Sequence, residues 1–331
     1  MAKNDMLTKA KEERNNEFYT RFEDIEKELK HYRDHFKDAV IYCNCDDPTY
    51  SNFWKYFHLN FERLGLKKLI CTHFDAKQPT YLMEYSGGND ADTGVGIVTP
   101  LKQNGDFRSP ECIELLKEAD IIVTNPPFSL FREYVAQLMQ YHKKFLILGN
   151  NSAVNYKEFF PLLKNGEVWT GTLDWNDEIL FRTSPEKELY LKEHKREGSA
   201  YRIIDGILYA RAGVLWYTNL DYEWRHRKIV LTDTYTPEKY PKFDNYDAIN
   251  VYKMTKIPKD YDGYMGVPVS FICRLNPDQF ELIGMLIERN CPEEYGFIQG
   301  DPVYISEGHK KYSGPVLHGR ALFPRLIIRR K

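Results

Sequence analysis

Four consecutive residues, Asn125-Pro126-Pro127-Phe128, carry the chemistry to which the rest of the chain can be related. The Asn125 side-chain oxygen and the Pro126 carbonyl can both accept hydrogen bonds from one exocyclic NH₂ group. Two acceptors would hold that nitrogen's hydrogens and leave its lone pair aimed outward. Phe128 can stack on the ring that carries the nitrogen. Neither proline has an N–H, so a strand cannot continue through them, and Asn125, preceding a proline, is pushed into an extended conformation. A rigid turn is therefore expected after Ile121-Ile122-Val123, a β-branched run with the composition of a buried strand. The proline carbonyls are expected to be used by no helix. Ser129 is the expected N-cap of a following helix, with Leu130, Phe131, Tyr134, Val135 and Leu138 at helical spacing. Open α/β sheets place ligands at the carboxyl ends of their strands. A proline-stiffened turn without chemistry is the plain alternative, since Asn-Pro pairs are common turn formers.

The elements that would position this turn alternate strand and helix. Ala39–Asn44, Lys67–Thr72 and Lys144–Gly149 read as strands, and a helix begins near Ser51 with Phe57, Phe61 and Leu64 inward. Such alternation predicts an α/β, doubly wound, mainly parallel sheet of Rossmann-like type. Phe18, Phe22, Ile25, Leu29, Tyr32 and Phe36 form one helical stripe, preceded by Phe18-Tyr19-Thr20; Thr20 is in place to cap it. After the first strand stands Asn44-Cys45-Asp46-Asp47-Pro48, where a glycine-rich loop is the common solution. Two carboxylates would repel a pyrophosphate, which counts against a dinucleotide or ATP. They suit a ligand with a cationic amine and a sulfonium; a plain Asp-capped turn is the alternative. Asp75, after the second strand, is placed to take ribose hydroxyls. Thr80–Gly96 reads as a hairpin or surface loop with no ligand spacing for a metal. Asn104-Gly105-Asp106-Phe107 then turns into a helix at Pro110–Glu118.

From about Gly166 helical spacing gives way to short β-rich runs. Tyr201–Ile204 and Ile207–Ala210 flank Asp205-Gly206, a two-residue hairpin signal. Val214–Asn219 and Val267–Phe271 read as strands, Asn276–Gly284 as a helix with proline in its first turn, and Arg320–Lys331 as a strand with basic ends. Glu223-Trp224-Arg225-His226-Arg227-Lys228 interleaves cations and aromatics, a pattern suited to phosphate contacts beside a stacked ring, or simply to a solvated turn.

No apolar run approaches the roughly 18 residues of a membrane span, and the N-terminal residues lack the apolar core of a signal peptide. The six cysteines form no Cys-x-x-Cys pair, so there is no zinc signature; Cys43, Cys45 and Cys71 read as small buried residues, in keeping with a reducing cytoplasm. A net charge of −2 decides nothing about nucleic acid, because the distribution of charge matters more than its total.

The Asn-Pro-Pro-Phe run resembles the motif of methyltransferases that modify adenine N6. Tyr19-Thr20 and Gly105-Asp106-Phe107 resemble the segments that flank the cofactor in those enzymes. Longer runs, Asn44–Pro48, Ser51–Phe53, Pro241–Val251, Gly266–Phe271 and Asn276–Phe280, resemble the EcoRI-type adenine-specific DNA methyltransferases, from about residue 15 to the end. The missing glycine loop is shared with that family. The resemblance implies S-adenosylmethionine as donor, double-stranded DNA with a flipped-out adenine as substrate, and no metal. It also implies, as a partner, a cognate restriction endonuclease acting on the same site without stable association. With the change of pattern near Gly166, a catalytic core is expected over residues 1–165 and, over 166–331, a β-rich part that completes the sheet and recognises DNA; the basic aromatic run makes Arg225, Arg227 and Lys228 its expected DNA contacts. Asn125, Pro126, Pro127 and Phe128 become the catalytic turn; Tyr19, Thr20, Asn44, Asp46, Asp47, Ser51, Asp75, Asp106 and Phe107 become cofactor residues. The residues alone leave open an adenine in RNA or a protein amide, since the turn can hold any planar NH₂. They also leave open a DNA-binding module with a decayed site, against which the intact Asn125, Phe128, Asp106 and Phe107 argue.

Overall fold

The computed structural model describes residues 19–77, 79–288, 293–305 and 311–331. Phe18 and Cys291 lie outside the described residues. The chain forms two units, one of residues up to Ser152 together with Trp175–Asp221, the other of Ala153–Asp174 together with residues from Tyr222 onward. This partition differs from a single division at 165/166, because segments from the later part of the chain pair with strands laid down earlier.

In the first unit, β1 (Tyr19–Thr20) precedes helix α1 (Phe22–Leu29). There follow β2 (Val40–Cys43), α2 (Asn52–Leu59), β3 (Lys68–Thr72), β4 (Tyr81–Tyr85), β5 (Ile97–Pro100), α3 (Pro110–Glu118), β6 (Ile121–Thr124), α4 (Phe131–Gln140) and β7 (Lys144–Asn150). The later segment adds β8 (Ile179–Arg182), α5 (Pro185–His194), β9 (Tyr201–Ile204), β10 (Ile207–Ala212) and β11 (Val214–Thr218). The main sheet of this unit runs β5-β4-β3-β2-β6-β7-β11. Strands β3, β2, β6 and β7 are parallel, whereas β4, β5 and β11 are antiparallel to their neighbours. The sheet is therefore mixed rather than mainly parallel. Connection length explains this: a parallel crossover takes a dozen or more residues, and the stretches joining β3 to β4 and β4 to β5 are too short to hold a helix. The Thr80–Gly96 stretch is accordingly the β4 strand and the turn of a hairpin.

Every residue of β2 and β6 is buried, as strands covered on both faces should be. Gly149 in β7 lets α4 pack close, since a Cβ there would stand 2.3 Å from the Phe131 ring. The stripe Ile25, Leu29, Tyr32 and Phe36 is buried, though the α-helix ends at Leu29 and continues as a 3₁₀ turn and a further short helix. Thr20 does not cap it: the cap position is Arg21, without a side-chain cap, and Thr20 pairs with Phe181 in a small antiparallel sheet β1-β8-β10-β9. The β9–β10 hairpin turns at Asp205 and Gly206, both at positive φ (52° and 76°), the backbone of a type I′ turn.

The second unit is built on β12 (Ile249–Asn250), β13 (Met265–Pro268), β14 (Phe280–Leu286), β15 (Phe297–Ile298) and β16 (Arg325–Arg330), ordered β12-β13-β16-β14-β15. Two expectations are corrected here. Asn276–Gly284 is a turn followed by strand β14, not a helix: Ile328, Ile327 and Leu326 of β16 pair with Leu282, Gly284 and Met285, all three β16 residues being buried, and this pairing overrides the proline signal. Val269–Phe271 leaves the strand for a 3₁₀ turn directly after Pro268. Among the described residues no helix is long and apolar enough to cross a membrane.

Candidate active site

The chain passes from β2 outward to β3, β4 and β5, then returns to the other side of β2 as β6. The loops after β2 and β6 thus leave neighbouring parallel strands in opposite directions, the place where such sheets form a crevice. The Asn125–Phe128 turn stands at the end of β6 as expected. Beyond Pro127 the chain departs from the expected capped helix: residues Phe128–Leu130 form a 3₁₀ turn, and α4 starts after Leu130 with no side-chain cap. Ser129 is exposed and is not the cap. The Pro127 carbonyl accepts from the Leu130 N–H (3.0 Å), so of the two proline carbonyls this one is used by the turn.

The loop after β2 is tied to this turn. The Asp46 carboxylate accepts from Ser51 Oγ (2.8 Å), from Thr124 Oγ1 and from the backbone N–H of Asn125. Ser51 in turn caps α2, accepting from the N–H groups of Phe53 (3.0 Å) and Trp54 (3.4 Å). Asp46 and Ser51, both expected to hold a cofactor, therefore face protein partners. Asp46 is partly buried, and the loss of solvent around its carboxyl pushes its pKa up to about 6, against the lowering effect of the Thr124, Ser51 and Asn125 hydrogen bonds. A group raised in the folded state stabilises in full below its ordinary value near 4, and that contribution is lost as pH rises through about 6. Thermal denaturation of wild type and Asp46→Asn across pH 4–7 should show the difference: the wild type loses up to a few kcal/mol relative to the variant over this window, at roughly 1.4 kcal/mol per unit. Parallel curves would remove Asp46 from the account.

Asp47 forms a local turn, accepting from the Thr49 N–H (2.8 Å) and hydroxyl (2.6 Å) and from Tyr81 OH (3.1 Å). It stands 3.5 Å from His73 Nδ1. Burial and the Asp47 carboxylate push Tyr81 up to about 12. Asp75 accepts from the Lys77 N–H (2.8 Å), and its own N–H donates to the Asn104 carbonyl (2.9 Å). That bond docks the Asn104–Phe107 segment on the loop after β3, and Gly105 makes the docking possible. Its φ is +75°, and a Cβ would lie 2.0 Å from the His73 carbonyl oxygen. Asp106 is held by Arg108 through Nε (2.8 Å), Nη2 (2.6 Å) and the backbone N–H (2.8 Å). Burial opposes its ionisation, but Arg108 outweighs this and keeps it below its ordinary range. A carboxylate has about four acceptor sites, so room for one further donor remains. Phe107 is buried edge-on against Tyr134 of α4 (5.0 Å between centroids), and Tyr134 OH donates to Asn44 Oδ1. Tyr19 and Thr20 join through Asn52 Nδ2, which donates to the Thr20 carbonyl (2.8 Å).

One chain of contacts thus links the β1 strand, the loops after β2 and β3, the 104–107 segment and the Asn-Pro-Pro-Phe turn. Thr124 and Arg108 were not singled out by residue type, Tyr134 was read only as part of an apolar stripe and Gly105 only as part of the Gly-Asp-Phe run; their spatial partners reveal what each does. Asn44 Nδ2, Thr20 Oγ1 and Thr80 Oγ1 are buried without a hydrogen bond. Buried polar atoms carry a cost unless partnered, so a polar ligand bound against these segments fits the residues present.

Arg225, Arg227 and Lys228 belong to the second unit. Arg225 lies over the Trp169 ring (3.7 Å) and Arg227 over Trp224 (4.1 Å); His226 Nδ1 pairs with Asp278 (2.6 Å), and Arg227 is 3.7 Å from Glu223. Lys228 is exposed. The ring contacts hold both guanidinium groups against aromatic faces. Among the described residues no group of three or more His, Cys, Asp or Glu is placed to hold a metal.

The Asn125–Phe128 turn at the end of a central strand, beside the polar loop after β2 in a mixed α/β sheet, is consistent with a methyltransferase fold. The family model described as "Adenine-specific methyltransferase EcoRI" matches residues 6–331, and the chain belongs to that family. It is 46% identical over 296 residues to the Type II methyltransferase M.EcoRI of Escherichia coli, covering 85% of this chain and 89% of that one. It is 42% identical over 286 residues to M.MpnI of Mycoplasma pneumoniae, with 85% of each chain covered. It is 39% identical over 287 residues to M.MgeORF184P of Mycoplasma genitalium, covering 85% of this chain and 86% of that one. No solved structure matches. The chain is accordingly an adenine-specific DNA methyltransferase of the kind that acts in restriction–modification.

Proposed function

We propose that the chain methylates N6 of adenine at a specific site in double-stranded DNA with S-adenosylmethionine as donor, and that the first unit is a Rossmann-like methyltransferase core. The observation that carries this reading is the attachment of the Asn-Pro-Pro-Phe turn to the loop after β2 through Asp46, which puts an amine-holding turn beside the loop that bears the unpartnered Asn44 Nδ2. Bound S-adenosylmethionine supplies an electrophilic methyl group on a sulfonium. Tyr19, Thr20, Asn44, Asp47, Asp75, Asp106 and Phe107 are the residues to hold it, with Asp106 oriented by Arg108.

A base inside a duplex cannot reach such a turn, so the target adenine leaves the stack. Asn125 Oδ1 and the Pro126 carbonyl accept from its amino group, and Phe128 packs on its ring. As the amino nitrogen pyramidalises, its lone pair is released from the ring and becomes nucleophilic. No side chain needs to remove a proton first: as the N–C bond forms the S–methyl bond breaks, leaving a neutral thioether, and the amine, acidic only once alkylated, then loses its proton to solvent. Positioning and fixed dipoles account for the catalysis. The protein is placed in the cytoplasm, where a restriction endonuclease of the same specificity would act without stable association.

Tritium transfer from labelled S-adenosylmethionine to duplex DNA, RNA and protein, followed by sequencing of the modified product, tests the reading. Label in N6-methyladenine of duplex DNA is the expected result; label confined to RNA or protein would overturn it.

The Arg225–Lys228 run is assigned to DNA backbone contacts. A cluster of adjacent cations suits successive phosphates better than one base edge. Arg227→Ala should weaken binding to cognate and random DNA alike and reduce the salt slope by about one. A loss of roughly 1–3 kcal/mol on cognate DNA alone would assign it to a guanine edge instead.

A further inference from the structure

We propose that Asp46 is a positioning residue for methyl transfer: its carboxylate fastens Thr124 and Asn125 to the N-cap of α2 and so sets the direction in which the Asn125 amide points. The inference rests on the reading of Asn125 as the residue that holds the target amine.

The argument begins with register. Strands β2 and β6 are adjacent and parallel, with Ile41 opposite Ile121 and Tyr42 opposite Ile122. The loop leaving β2 therefore runs beside the end of β6. Thr124 closes β6 fully buried, so its hydroxyl must find an acceptor inside the protein, and Asp46 provides it. The same carboxylate takes the N–H of Asn125, which fixes the peptide plane directly before the Asn125 side chain. Its other oxygen takes Ser51 Oγ (2.8 Å), whose lone pairs cap α2. The Asp46 carbonyl accepts from Cys71 Sγ of β3 (3.1 Å), so the main chain of the loop is held from the far side as well.

Asp46 thus has three side-chain contacts to protein donors, and these determine where Asn125 sits. A neutral side chain of the same shape could fill the space, but it would offer one acceptor oxygen where three donors converge. Hydrogen bonds to an ionised acceptor are shorter and stronger than neutral ones, which is the property a fixed amide acceptor requires. Tyr134 OH on Asn44 Oδ1 ties the same loop to α4, the helix that follows the turn.

The test uses the full chain, unmethylated bacterial genomic DNA and tritiated S-adenosylmethionine. Single-turnover methylation is measured at saturating donor, and donor affinity is measured separately by calorimetry. Thr124→Val keeps shape and removes the hydroxyl; it and Asp46→Asn should lower the saturated rate roughly ten- to hundredfold while donor affinity stays within about threefold. Thr124→Ser restores the hydroxyl and should recover most of the rate, which a merely space-filling role would not require. If Asp46→Asn fails to fold, the Thr124→Val and Thr124→Ser pair decides. Full rates in Thr124→Val and Asp46→Asn, with Asn125→Ala inactive, would overturn the role of Asp46 and leave that of Asn125 intact. Weakened donor binding at an unchanged saturated rate would also overturn it, by making Asp46 a donor-binding residue. An active Asn125→Ala would instead remove the reading on which the inference rests.

Discussion

Asn125→Ala is expected to reduce methyl transfer by at least about 10²–10³-fold, the usual effect of removing one preorganised polar group at a reacting centre. S-adenosylmethionine affinity should stay close to wild type, because Asn125 is assigned to the target amine and not to the donor. The carbonyl of Pro126 would remain as an acceptor, but a single acceptor leaves the amino group free to rotate its lone pair back into the ring. The substitution leaves the Asn125 main chain able to donate to Asp46, so the turn itself should persist. Steady-state rates with donor affinity measured in parallel settle the point. Near-normal turnover would show that the amine is held elsewhere.

The second large effect is expected at Gly105. A left-handed backbone costs a non-glycine residue about 1–2 kcal/mol, and at φ +75° with a Cβ 2.0 Å from the His73 carbonyl the strain is compounded by a main-chain clash. Neither atom is the end of a flexible side chain, so the Asn104–Asp106 segment must lift away from the loop after β3. Gly105→Ala should therefore break the contact between Asn104 and Asp75, displace Asp106, and weaken S-adenosylmethionine binding by about tenfold or more, with a lowered melting temperature. Unchanged donor affinity in a folded Gly105→Ala protein would mean that the 104–107 segment is no part of the donor pocket.

Local signals held where neighbouring residues alone set the outcome. Pro126 and Pro127 end β6 whatever surrounds them. Asp205-Gly206 makes its own hairpin, and Ser109 with Pro110 starts α3 by an ordinary cap. The buried stripes of β2 and β6 follow from β-branched composition. Local signals failed where a distant partner outweighed them. Pro277 argues for a helix start, yet β16 recruits Phe280–Leu286 into a sheet. Ser129 resembles a cap, yet the chain tightens into a 3₁₀ turn and leaves it exposed.

The sequence by itself determined that an Asn-Pro-Pro-Phe turn closes a buried strand, that an acidic loop replaces the glycine-rich one, and which family carries both. These depend on residue type and on neighbours a few positions apart. Only the tertiary structure decided what each charged group does. Asp46 faces Thr124, 78 positions away, while Asp106 is taken by Arg108 and Arg225 lies on Trp169. A carboxylate a few residues beyond the end of a strand looks the same in sequence whether it meets a ligand or a buried hydroxyl. The difference lies in which strand the sheet places beside it, and sheet order is set by pairing energy between segments far apart in the chain.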